Sequence, residues 1–189
     1  NCLVGSEMCI RDRVHGVSKR RTWRKLHLGV NEATGEIVSG VVTTNDVSDS
    51  QAFSELLDGA DGEIAQVSGD GAYDKYKCYE KANQLGAKVT IPPRKNAVIG
   101  QHGNCKCPPH PRDENLRRIR KVGRKKWKHE SGYHRRSLSE TTMFRLKVIF
   151  GGQLRRRKFD NQAVELFIQC AMLNRMIQTG KPKSHKVKI

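Results

Sequence analysis

Residues 22–44 read TWRKLHLGVNEATGEIVSGVVTT, and the fold class turns on this stretch. Within Thr22–Val30, Trp23, Lys25, His27 and Gly29 alternate with Arg24, Leu26, Leu28 and Val30. A period of two marks a strand, because successive side chains point to opposite faces. Asn31–Gly35 (NEATG) carries turn residues, and Glu36–Thr44 is a second β-rich run. The two runs predict a hairpin.

Downstream, Asp46–Ser50 supplies helix-cap chemistry for a short helix, Gln51–Leu57, which ends at Asp58-Gly59. Ile64–Ser68 reads as a short buried strand running into Gly69-Asp70-Gly71. A helix is predicted over 74–85, stopped by Gly86, and Ala87–Ile91 is another strand, closed by Pro92-Pro93. Strands alternating with helices predict an α/β sheet with flanking helices. From Arg94 to His129 the periodicity fails, and the segment reads as a basic loop insertion with helical character around Glu114–Val122. A helix follows over Tyr133–Phe150, then Gly151-Gly152 and the cluster Arg155-Arg156-Arg157-Lys158. A last amphipathic helix covers Asp160–Gln178, ahead of a basic tail, 180–189.

The chain has 189 residues, with 36 Lys+Arg against 19 Asp+Glu. That length suits one domain with a real core. No run of about 18 apolar residues exists, so no membrane partner is expected. The first residues lack the pattern of a secretory signal, and six scattered cysteines make no disulfide framework. A reducing cytoplasm is the expectation. Residues 1–94 hold 12 basic and 13 acidic side chains, whereas residues 95–189 hold 24 and 6. A near-neutral half joined to a strongly basic half predicts a folded core carrying a polyanion-binding surface, with nucleic acid as partner.

Two features carry chemistry. At roughly 100° per residue, Tyr133, Arg136, Glu140 and Lys147 fall within one helical face about 60° wide. Leu138, Thr142, Leu146 and Ile149 fall on the opposite, packing side. Asp70 sits at a strand end beside Gly71, a position suited to a metal-binding carboxylate. Residue patterns alone favour a solvated helix face and an ordinary Asp-Gly turn.

Together these features resemble bacterial insertion-sequence transposases of the DDE class. Tyr133-x2-Arg136-x3-Glu140-x6-Lys147 matches the family's Y-x2-R-x3-E-x6-K signature without a gap. SGDGAYD (Ser68–Asp74) is similar to the segment around the family's second catalytic aspartate. His15-Gly16 with RRTWRKLHLGV (Arg20–Val30) is similar to the stretch following the first. The resemblance covers about residues 14 to 180. It implies an RNase-H-like mixed sheet with three carboxylates holding two Mg²⁺ ions, about 3.5–4 Å apart, for which Mn²⁺ can substitute. It implies cleavage at transposon ends and strand transfer into target DNA, in a complex that can contain a homodimer. Asp70 and Glu140 match the second and third catalytic, metal-binding acids. Tyr133, Arg136 and Lys147 match positions that contact transposon-end phosphates.

The resemblance fails at the beginning. The family's first aspartate belongs in an opening strand about twenty residues before His15, and Asp12 is too close to it. NCLVGSEMCIRDR (residues 1–13) is similar to a translated sequencing-adapter artefact. The expectation is therefore a non-native leader over 1–13, a partial catalytic domain over 14–179, a missing opening strand and an inactive chain. Asp46 and Asp49 are the nearest alternative acids, and both read as caps. A non-catalytic, basic nucleic-acid-binding remnant is the alternative, and a stand-alone nuclease of the same fold is a third. His102-x2-Cys105-x-Cys107-x2-His110 offers four zinc-type ligands, but C-x-C beside prolines matches structural zinc spacing poorly. Trp23, Trp127 and Tyr133 lie among cations that could accompany base stacking, although Trp23 reads better as a strand aromatic.

Overall fold

The alternating run becomes the axis of the fold. In the computed structural model, which describes residues 2–4, 8–11, 23–100, 106 and 108–180, β3 spans Trp23–Asn31 and β4 spans Ile37–Thr44. They pair as the predicted antiparallel hairpin, with Leu26 opposite Val42 and Leu28 opposite Gly40. The turn between them is closed by the Asn31 side chain, whose Oδ1 accepts from the Ala33 N–H at 2.8 Å.

The other edge of β3 is taken by β1 (Cys2–Val4) and β2 (Met8–Arg11). β2 pairs antiparallel with Trp23–Leu26, and β1 pairs antiparallel with Gly29–Asn31. β1 also runs parallel to β5 (Gln66–Ser68), which runs parallel to β6 (Lys88–Thr90). β1 thus lies between β3 and β5 in the sheet. CLV and MCI are β-prone runs, and the facing edges of β3 and β5 offer unpaired N–H and C=O groups as a template.

Helices cover both faces. On one, α1 (Asp49–Asp58) and α2 (Tyr76–Gln84) bury Phe53, Leu56, Leu57 and Tyr79 against Val41, Val67 and Ile91. On the other, α5 (Ser137–Phe150) and α6 (Phe159–Thr179) bury Met143, Leu146, Leu166 and Leu173 against Leu26, Leu28 and Val30. The period-two pattern of β3 sends Leu26, Leu28 and Val30 to the second of these cores. Asn174 of α6 bonds both the N–H and the C=O of Ile37, at 2.8 and 2.7 Å, and fixes α6 to the sheet.

Two expectations about helices need correction. The insertion is no loop: α3 (Pro111–Val122) and α4 (Arg124–Glu130) are joined at Gly123. Pro111 stands at the first helical position, where its missing N–H costs no hydrogen bond. Gly123 has φ +84° and ψ 151°, a combination that favours glycine. The predicted Tyr133–Phe150 helix opens with a 3₁₀ turn, Tyr133–Arg136, before α5 begins. Within α5 the buried side is Ser139, Thr142, Met143 and Leu146, whereas Ile149 is 46% exposed and not a packing residue. No helix among the described residues is long and apolar enough to cross a membrane.

Candidate active site

Asp70 follows β5 directly and caps the 3₁₀ turn Gly71–Tyr73, its Oδ1 accepting from the Ala72 N–H at 2.8 Å. One carboxylate oxygen is thereby oriented by backbone, and the side chain is half-buried. The loop beyond borders a cleft of about 530 Å³ lined by Lys25, Lys75 and Arg94 together with Asp49 and Ser50. Three cations outnumber the single acid there.

Glu140 lies in the first turn of α5, where the helix dipole favours a negative charge. Its Oε1 accepts from Arg136 Nη2 at 2.7 Å, an i,i+4 pair, while the carboxylate stays 49% exposed. Burial works against the Arg136 charge, yet Tyr133, Glu140 and Asp70 outweigh it and hold the guanidinium above its ordinary range. Arg136 bonds Glu140 directly, whereas Asp70 acts on it only through its charge, as the smallest of these effects.

Tyr133 is the aromatic centre of this corner. Lys128 Nζ lies 4.8 Å and Arg136 Cζ 5.5 Å from its ring centroid. Trp127 of α4 packs beside it at 6.4 Å. Trp127 is buried, so it supports the tyrosine rather than offering a stacking face. Trp23 is half-buried on β3, in keeping with a strand aromatic. Lys147 is exposed on α5, roughly 10 Å along the helix from Glu140. It stands two turns from the acid and outside its immediate contacts. Arg135, absent from the signature, pairs with Glu32 at 2.7 Å and ties this corner to the β3–β4 turn.

The sequence reading missed the centre that holds the Asp70 loop in place. Asp74 is fully buried at its side chain, and Arg112 of α3 donates to it from Nε at 2.7 Å and from Nη2 at 3.3 Å. The Arg94 N–H donates to Asp74 Oδ2 at 2.9 Å, and the Tyr79 hydroxyl to Oδ1 at 3.4 Å. Hydrogen bonding to Asp74 holds the Arg112 guanidinium above its ordinary range, and burial beside Asp74 pushes the Tyr79 phenol up. Arg112 also stacks over Tyr76, 5.0 Å from the ring centroid. Asp74 belongs to the quoted DGAYD segment, but its partner lies 38 positions away. Only the PRD triplet, a charged pair directly behind a helix-starting proline, offered a local signal.

Among the alternative acids, Asp46 is exposed and held below its ordinary range by the Thr44 hydroxyl. Asp49 opens α1 and lies 3.8 Å from Nδ1 of the buried His27. Neither β1 nor β2 contains an Asp or Glu, and Asp12 lies outside the described residues. Of the four-residue His/Cys cluster, His102, Cys105 and Cys107 also lie outside them. His110 caps α3, accepting from the Arg112 N–H at 3.3 Å, and packs against Tyr76 and Tyr79. Among the described residues, no three of His, Cys, Asp or Glu come together as a metal site.

The family model for the transposase DDE domain matches residues 11–175. No solved structure matches the chain.

Proposed function

The chain belongs to the transposase DDE domain family, and on that premise we propose that Asp70 and Glu140 supply two carboxylates of a divalent-metal site acting on transposon-end DNA. Tyr133, Arg136 and Lys147 contact the phosphates beside it. The sheet order β4-β3-β1-β5-β6, an antiparallel hairpin followed by parallel strands, supports an RNase-H-like reading of the fold. The observation that carries the proposal is Arg136, bonded to Glu140 and influenced by Asp70 as well. A pair of carboxylates suits Mg²⁺, which is commonly held by one or two protein carboxylates and completed by water and substrate phosphate. When bound, the ion stabilises charge on a phosphodiester and generates a nucleophile from water. Arg136 then turns from Glu140 toward the phosphate, exchanging one anionic partner for another.

Mn²⁺ binding, followed by the loss of its free electron paramagnetic resonance signal, tests this directly. Asp70→Asn and Glu140→Gln should each weaken binding about tenfold or more. Unchanged binding in both variants would overturn the assignment.

A second reading, a DNA-binding chain without catalysis, is favoured by the lack of any carboxylate in β1 and β2. On this reading the ion is held loosely and strand cleavage stays below detection. A gel assay on labelled duplex with Mg²⁺ or Mn²⁺ separates the two. Cleavage abolished by Glu140→Gln refutes the non-catalytic reading, and cleavage that survives it refutes the Asp70–Glu140 site.

A further inference from the structure

The turn between α5 and α6 carries Arg155, Arg156, Arg157 and Lys158, all exposed. Consecutive like charges ordinarily repel and leave a segment loose. Here the backbone beneath them is fixed from three sides. Leu154 is buried in the core under α5 and α6. Glu165 accepts from the Arg155 N–H at 3.0 Å and from the Arg156 N–H at 3.1 Å. Gln162, fully buried, donates to the Arg156 carbonyl at 3.0 Å while its Oε1 accepts from Arg24 Nε at 2.8 Å. The acid and the amide engage backbone, so the turn is ordered without ion-pairing its own cations.

Its position is equally defined. The 14 residues of α5 lie between Arg136 and the start of the turn, roughly 21 Å at the rise of a helix. The sheet gives a matching distance. Arg24 lies under the turn, and Asn31 adjoins Glu32, the partner of Arg135. These ends of β3 are roughly 23 Å apart at the rise of a strand. Along a duplex this corresponds to about six base pairs, at about 3.4 Å each.

We propose that the Arg155–Lys158 turn is a second DNA-backbone anchor, gripping phosphates about six base pairs from the Arg135–Arg136 corner. It rests on the DNA reading above and adds to it a fixed spacing. The test uses the full chain, fluorescence anisotropy and hairpin-capped duplexes of about 4 to 20 base pairs across a salt series. Wild-type affinity should step up once the duplex passes about six to eight base pairs. Replacing Arg155, Arg156 and Arg157 together by Ala should remove that step and lower the slope of log affinity against log salt by about 2–3. All three side chains are exposed, so this variant keeps the fold.

Glu165→Ala separates a built anchor from plain charge. It removes a negative charge, so a merely cationic patch would bind DNA more tightly. An ordered anchor should instead bind several-fold more weakly. Should Glu165→Ala fail to fold by circular dichroism, the arginine variant decides alone. Wild-type binding with an unchanged slope and step in the arginine variant overturns the anchor and leaves the DNA reading intact. A wild-type chain without salt-dependent DNA binding overturns both.

Discussion

Two arginine–carboxylate pairs in this chain have the same length and different work. Arg112–Asp74 and Arg136–Glu140 each close at 2.7 Å. Asp74 is fully buried and takes further hydrogen bonds from the Arg94 amide and the Tyr79 hydroxyl, whereas Glu140 is half in solvent. A buried pair cannot lose one partner without stranding the other in low dielectric. An exposed pair can open, because water and salt replace each partner at little cost. The first is therefore a fixed joint, and the second a contact free to open.

The largest effect should come from breaking the joint. Asp74→Ala leaves Arg112, the Arg94 amide and Tyr79 without their shared acceptor, and should cost about 3–5 kcal/mol in urea unfolding. Arg112→Lys keeps the charge but loses the fork and the stacking over Tyr76, and should cost about 1–2 kcal/mol. A loss below about 0.5 kcal/mol for Asp74→Ala would erase the distinction between the two pairs.

Burial should also show in the thiols. Burial pushes Cys78 up to about 11 and Cys170 up to about 12. A raised folded value favours the neutral thiol. The associated stability is fully present below the unfolded cysteine range, near pH 8.5, and is lost as pH rises toward 11–12. Disulfide-exchange labelling at pH 8 should be at least about tenfold slower than in urea-unfolded chain. Equal rates would mean that this side of the fold opens freely. The smallest stability effect belongs to Glu140→Gln, within about 1 kcal/mol of wild type by urea unfolding, even as Mn²⁺ binding falls. A larger loss would make Arg136–Glu140 a structural pair after all.

Those elements that repeat a short-range pattern were legible in the sequence. Alternation in Trp23–Val30 disclosed β3, and the spacing from Tyr133 to Lys147 disclosed the Arg136–Glu140 contact. What escaped depends on partners far along the chain. Three prolines between 108 and 111 read as breakers, though one of them starts α3. Leu116 and Trp127 are the apolar residues buried in α3 and α4, too few to give a visible helical period. Asp74 stood at the start of the helix predicted over 74–85, and its partner Arg112 comes from another element. Residues 2–11 looked foreign, yet an open sheet edge selects for backbone and β-propensity more than for a particular side chain.

The insertion also has a mechanical aspect. At its start Arg112 is locked to Asp74, four residues beyond Asp70, and near its end Trp127 packs on Tyr133, at the head of the Glu140 helix. Arg118 bonds Glu130 at 3.0 and 2.8 Å and fixes the bend at Gly123. The two helices therefore act as a caliper whose jaws rest on the elements bearing the two acids. A caliper is sensitive to length and almost indifferent to paint. Recharging its exposed lysines leaves the gap unaltered, whereas one residue added inside α4 ahead of Trp127 turns that side chain by about 100° and lifts it from its seat.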